Sequence, residues 1–325
     1  SPTRNQECVI SGKQQVVNGI STMLMIGSTP LSLVLMIGST PVSLVLIVAM
    51  SFSVSLLSGL FGVGGGFLLT PLLIFMGIDP AIAIATAAPQ IAASTLTALL
   101  AHWRRGHVDF KLGAVLVVFS GPGTALGVWI FSKLNATQAL DWVLQSLFVV
   151  LLGGSGVMML RSALRRSQSG AHVLPHQRAG TEPLHLWPSL PWPMTFDHAR
   201  ITVSGYALLA FAAMVGLVGT LLGIGGGFVI VPVLITLFQV PVLVAAATSS
   251  FQIFFTMLVA SGLHAAQSHP IHVALACWLV VGGVMGGYVG TRLGGRLSAS
   301  SFRLWFALLM LAVAARFFYM IVQGL

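Results

Sequence analysis

Charged residues are scarce in this chain: Asp, Glu, Lys and Arg together make up 6% of its 325 residues, where soluble domains carry roughly 25%. That shortage excludes a soluble globular fold, whose water-facing surface would need ionised groups. Cysteine is nearly missing as well. Cys8 lies in the N-terminal segment and Cys277 inside an apolar run, so neither a disulfide framework nor a cysteine-based metal site is implied. Nor does the chain show the roughly ten-residue alternating strands of a transmembrane barrel.

What the chain has in abundance is apolar surface. Hydrophobic residues make up 56% of it, and the mean hydropathy is +0.97. A run of about 20 apolar residues crosses the hydrocarbon of a bilayer as a helix, so the fold class expected is all-α and polytopic, with lipid as the surrounding solvent. The net charge of +9 could point to nucleic acid. The basic residues, however, sit in short loops beside apolar runs, where they orient a membrane protein, and no nucleic-acid partner is expected.

Apolar segments fall near residues 31–57, 66–77, 81–102, 112–132, 140–160, 201–222, 226–238, 242–264, 272–293 and 302–323. This predicts an N-terminal extension (1–30), a first transmembrane repeat (31–160), a linker (161–200) and a second repeat (201–325), about ten segments arranged five and five. The second segment of each repeat is too short to span as a straight helix at about 1.5 Å per residue. The linker is rich in Pro, Arg, Ser and His and reads as a solvated loop. Its His172, His176, His185 and His198 lack the ordered spacing of a metal site, and no metal is expected. Three loops share one side if there are ten spans: Arg104, Arg105 and Lys111; Arg161, Arg165, Arg166, Arg178 and Arg200; Arg292, Arg296 and Arg303. The positive-inside rule makes that side cytoplasmic. With five spans per repeat, the second repeat is inverted relative to the first. At the start, MIGSTPLSLVL (25–35) is followed at once by MIGSTPVSLVL (36–46). On a helix this would put Gly27 and Gly38 on one face, although a local duplication without a role is the simpler reading.

The two repeats can be laid over each other. GVGGGFLLTP at 62–71 returns as GIGGGFVIVP at 223–232, 161 residues later. With one residue inserted, Thr86, Gln90, Ser94, Ala98 and His102 meet Thr248, Gln252, Thr256, Ala260 and His264, each pair 162 apart. Positions four apart drift only about 40° per step on a helix, so each repeat carries one polar stripe. Polar side chains within a bilayer face the bundle or a watery cavity. Packing of small and hydroxyl residues between helices would give a similar stripe, but paired glutamines exceed what packing needs.

Glycine and proline each weaken a helix interior, and a helix that stops and restarts within lipid presents free N–H groups and a positive dipole end. That favours a small anion as the solute. The candidate binding residues are Gly64, Gly65, Gly66, Thr86, Gln90, Ser94, Gly225, Gly226, Gly227, Thr248, Ser249, Ser250, Gln252 and Thr256. His102 and His264, at the ends of the stripes, are candidates for gating or proton coupling because histidine titrates near neutral pH. The alternative is an uptake or channel-like carrier of another small solute, and two further rivals are weaker. The glycine runs lack the preceding strand and following Lys-Ser/Thr of a phosphate loop. GGSG at 153–156 resembles an intramembrane serine-protease motif, but a nucleophilic Ser155 needs a histidine at its own depth, and His102, His107, His264, His269 and His272 all fall near segment ends. No catalytic residue and no cofactor are expected, and homo-oligomerisation is compatible with the composition.

The doubled GxGGGxxxxPxL motif, the following Pro80 and Pro241, the Thr-rich third segment of each repeat and the basic loop ending HVDFKLG resemble the TauE/SafE family of sulfite exporters. The resemblance covers about residues 42–160 and 201–322. It implies export of a sulfur oxyanion or organosulfonate, such as sulfite or sulfoacetate, across the bacterial cytoplasmic membrane. The chain departs from the family's pattern in its N-terminal duplication and long linker. It also has Ala87-Ala88-Pro89 where the second repeat has Ser249-Ser250-Phe251, which implies an asymmetric site.

Overall fold

The computed structural model describes residues 34–37, 40–61, 68–137, 140–168, 184–186, 193–196, 201–236, 238, 240–266, 273–293 and 299–323. Ten helices fall within these residues: α1 (Leu44–Phe61), α2 (Leu69–Phe75), α3 (Pro80–Arg104), α4 (Phe110–Ala136), α5 (Leu140–Gln168), α6 (Gly205–Leu221), α7 (Gly227–Thr236), α8 (Val242–Ala266), α9 (Val273–Leu293) and α10 (Ala299–Gln323). Five of them, α3, α4, α5, α8 and α9, contain stretches long and apolar enough to cross a membrane. Shorter apolar helices lie at 44–60, 205–221 and 307–323. As expected, α2 and α7 are short, with 7 and 10 residues.

Local chemistry sets several of the boundaries. Asp79 caps α3 by accepting from the amide of Ala81, with Pro80 at the first helical position, where a missing N–H costs nothing. Asp109 caps α4 by accepting from the amide of Leu112 at 3.0 Å. Each carboxylate also lies at the positive end of its helix dipole.

Two expectations are corrected. The first apolar segment is strand, not helix, at 34–37 and 40–43. Residues 34–43 contain an antiparallel hairpin of β1 (Val34–Ile37) and β2 (Thr40–Ser43), with Met36 opposite Pro41, and the helix starts at Leu44. Met36, Ile37, Thr40 and Pro41 of the second MIGSTP copy lie in this two-stranded ribbon, whereas Gly27 and Gly38 lie outside the described residues. The linker, in turn, is not loop throughout. α5 runs on to Gln168, and β3 (Leu184–Leu186), β4 (Pro193–Phe196) and β5 (Ile201–Ser204) form a sheet in the order β3-β5-β4. Phe196 and Val203 bury against Leu112, Leu116 and Leu208, and Lys111 Nζ donates to Thr195 O at 2.8 Å. The apolar residues Met194, Phe196 and Val203 supply the reason. They cover the open ends of α4 and α6, an energetic gain a fully solvated loop would forgo.

The helices are sorted by burial. In the span-length window of α3, 72% of residues are buried, and in α8 61%, against 22% in α5. The two helices that carry the polar stripes are thus the centre of the molecule, and they pack on each other. α5 and α10 pair at the periphery, where Phe148 and Phe317 stack at 4.7 Å. Large apolar residues such as Val118, Leu126, Val150 and Phe318 point outward, as they do where lipid replaces water. Exposed Trp103, Trp129, Trp142, Tyr206 and Tyr319 lie toward helix ends, the interfacial placement of aromatic rings.

Two further interfaces carry the architecture. α1 packs on α9, and α6 on α4, both by backbone-to-backbone approach at glycine. A Cβ on Gly286 would collide with the carbonyl oxygen of Phe52, and one on Gly290 with that of Leu56. On the other side a Cβ on Gly123 would strike Ala213 O, and one on Gly127 would lie 2.7 Å from Leu217 O. Phe52 and Ala213 are 161 residues apart, as are Leu56 and Leu217; Gly123 and Gly286 are 163 apart, as are Gly127 and Gly290. The same contact recurs with its residues drawn from opposite halves of the chain.

Candidate functional site

Gln90 and Gln252 are buried, on α3 and α8. The Gln90 amide nitrogen donates to Ser55 Oγ at 2.9 Å and to Ser51 Oγ at 3.3 Å, both on α1. Ser51 in turn donates to the main-chain carbonyl of Leu279 on α9 at 2.6 Å. Gly283 of α9 lies against the same amide so closely that a Cβ would overlap Nε2. The Gln252 amide nitrogen donates to Thr256 Oγ1 at 2.6 Å and to Ser120 Oγ of α4 at 3.4 Å. Ser120 and Thr256 meet at 3.2 Å, and Ser120 also donates to Val117 O at 3.0 Å. Each glutamine is thus pinned at its nitrogen end by two hydroxyls.

The other stripe residues are buried as expected, but many of their hydroxyls bond at home. Ser94 donates to Ile91 O, and Ser249 and Ser250 both donate to Ala246 O. These bonds satisfy polar groups where no water is available. Thr248 Oγ1 accepts from the amide of Asp109 at 3.3 Å, which ties the start of α4 to α8. Thr86 is fully buried. Serines 51, 55 and 120 were not among the residues expected from sequence. The signal was present: 51 and 55 are four apart, the spacing of the stripes themselves.

The second glycine cluster breaks the chain between α6 and α7. Gly223, Gly225 and Gly226 have φ of 63°, 79° and 74°, a left-handed conformation that residues with a Cβ adopt only at a cost. The loop is buried throughout. The amides of Ile224 and Gly225 turn back to Gly219 O, and those of Val229 and Ile230 bond to Gly226 O. Thr70 of α2 holds the loop from the other half by donating to Gly223 O at 3.0 Å. A Cβ on Gly225 would meet Ile253 at 2.7 Å and Ile91 at 3.6 Å, so the loop wedges between α8 and α3. Ile91 and Ile253 each follow a glutamine in the chain, so the wedge lies about 100° around each helix from the glutamine, at the same level. Gly227 opens α7. Gly64, Gly65 and Gly66 lie outside the described residues, between the end of α1 at Phe61 and the start of α2 at Leu69.

A model of the family described as sulfite exporter TauE/SafE matches residues 46–317, most of the chain and all the helices of the site. The chain belongs to the TauE/SafE family. It is 27% identical over 283 residues to the probable membrane transporter protein YunE of Bacillus subtilis, covering 84% of this chain and 96% of that protein. It is 30% identical over 260 residues to a probable membrane transporter protein of Xylella fastidiosa strain 9a5c, covering 79% and 87% respectively. No solved structure matches the chain.

In this TauE/SafE protein the two stripe-end histidines lie at opposite ends of the bundle. His102 is buried in the last turn of α3, its ring 6.4 Å from that of His107. His107 is two residues before Asp109, which bonds Thr248. His264 is buried on α8, edge-on to Phe131 at 5.1 Å. It lies 16 residues beyond Thr248, about 24 Å along the helix. Ser155 lies on α5, packed along α10 through Gly156 and Leu311, and neither helix carries a histidine. Among the described residues no group of three or more His, Cys, Asp or Glu could hold a metal ion.

Proposed function

We propose that this membrane transporter is a multi-pass secondary carrier of the bacterial cytoplasmic membrane. In this reading it moves a small sulfur-containing anion, sulfite or an organosulfonate, outward by alternating access of two inverted repeats. The observation that carries the reading is the buried break before α7, wedged between the two most buried helices at the level of Gln90 and Gln252. Arg104, Arg105, Lys111, Lys133, Arg161, Arg292 and Arg316 are all exposed. A solute anion would be met there by the first amides of α7 and the positive end of its dipole. The matching sequence at Gly64–Gly66 would supply the second half of the site, and Thr86, Ser94, Thr248, Ser249, Ser250 and Thr256 its wall.

The recurring helix contacts favour repeats related by a pseudo-two-fold axis in the membrane plane, with the linker sheet and the 104–111 loop on the cytoplasmic side. Moving one negative charge out of an inside-negative cell releases about 2.3 kcal/mol per 100 mV, so export needs no other driving ion. In this reading His102 and His264, at the two ends, act in gating or proton coupling.

Thermal stabilisation of the purified protein by sulfite, sulfoacetate, taurine, thiosulfate and sulfate tests the site. At least one sulfur anion should raise the melting temperature, and the absence of any shift would sink the anion reading. In proteoliposomes Gln90→Ala and Gln252→Ala should each abolish sulfite flux, whereas Ser155→Ala should leave it unchanged.

A further inference from the structure

The carbonyl oxygens Oε1 of Gln90 and Gln252 are buried and accept no hydrogen bond from any described residue. Their direction matches the protons of the neighbouring hydroxyls. Ser51 has one proton and gives it to Leu279 O, so toward Gln90 its oxygen can only accept. Turning the amide round would set Oε1 against that lone pair. At Gln252 the order is the same. Ser120 gives its proton to Val117 O, Thr256 can then donate to Ser120, and both oxygens are left as acceptors for the amide nitrogen. The two relays end on main-chain carbonyls, Leu279 and Val117, that are 162 residues apart. Because both N–H groups of each amide are committed, each glutamine has only an acceptor left to offer.

A buried acceptor with no donor is costly, and near an anion it is worse, since the carbonyl oxygen carries partial negative charge. The cost is removed if the solute itself supplies the donor. We propose that the solute that reaches these two buried acceptors is a sulfur oxyanion bearing one negative charge and its own O–H group. That hydroxyl donates to the Oε1 of Gln90 or Gln252, while the charged end takes backbone amides. Hydrogensulfite and hydroxyalkanesulfonates have this form; sulfate and other dianions without a hydroxyl do not. The inference rests on the anion-transport reading above and narrows its substrate class.

Ethanesulfonate and 2-hydroxyethanesulfonate are both monoanions at neutral pH and differ by one hydroxyl. In binding titrations of the purified wild-type protein the hydroxylated anion should bind about tenfold more tightly. The double variant Gln90→Met with Gln252→Met should lose that preference. Ser51→Ala, which leaves Gln90 held by Ser55 alone, a hydroxyl able to accept or to donate, should narrow it. Equal affinity for the two sulfonates in the wild type overturns the proposal while leaving the anion reading intact, and it does so even if no variant folds. No response to these or to any sulfur anion overturns both.

Discussion

Around Gln90 both hydroxyls come from the neighbouring helix α1 and the glycine from α9. Around Gln252 the hydroxyls come from α4 and from α8 itself, and Gly216 of α6 packs on the backbone of Ser120. Ser55 and Gly216 are 161 residues apart, and Ser120 and Gly283 are 163 apart. The two halves have exchanged which helix brings the hydroxyl and which makes room for it. What is common to both pockets is an amide anchored at its nitrogen end, with its oxygen turned away. The orientation of the amide, not the identity of the residue holding it, is therefore the feature this bundle preserves.

The shared scaffold beneath both pockets should be the most fragile part. Gly123→Val and Gly286→Val place side-chain atoms against the main chain of the partner helix, and each should lower stability by about 3 kcal/mol or more, measured by denaturation in detergent. Gly121→Ala, where a Cβ meets nothing within 4 Å, should stay within about 0.5 kcal/mol of wild type.

The exchange itself can be tested by transplanting one pocket's arrangement into the other. Gly283→Ser alone crowds the Gln90 amide and should cost about 1–3 kcal/mol. Adding Ser55→Gly opens the space that Gly216 opens in the other half and should recover part of that loss. A coupling energy below about 0.5 kcal/mol would mean the pockets are not interchangeable.

Smaller effects should separate the two relays. Ser51→Ala removes a bond between α1 and α9 and should cost about 1 kcal/mol. Ser120→Ala should cost less, about 0.6 kcal/mol, because Thr256 still holds Gln252 at 2.6 Å. Lys111→Met loses only an exposed bond to the linker sheet and should change stability by less than about 0.5 kcal/mol. If Lys111→Met exceeds Ser51→Ala, the linker matters more to the bundle than the glutamine pockets do.

Much of this was legible in the linear chain. Helix positions follow from apolar runs long enough for a bilayer, and the boundaries of α3, α4, α8 and α9 fall within about four residues of those runs. The stripe through Gln90 and the stripe through Gln252 were visible as four-residue spacing repeated 162 residues on. The hairpin at 34–43 and the sheet built from β3, β4 and β5 were not. Short apolar stretches such as PMTF and ITVS have no period long enough to distinguish strand from helix, and what fixes them is docking onto the ends of α4 and α6. Ser51, Ser55 and Ser120 were missed because a serine in an apolar helix reads as a packing residue until its partner across the interface is known.

By itself the sequence determined that the chain lives in lipid, where its helices lie, and that one pattern occurs twice, because hydropathy and spacing are properties of a linear chain. Only the tertiary structure decided that α3 and α8 are the centre and that the glycine break is driven between them. It alone also decided which hydroxyls hold the two glutamine amides at their nitrogen ends. The direction of an amide is set by which neighbouring hydroxyl has already spent its proton, and those neighbours arrive from distant parts of the chain.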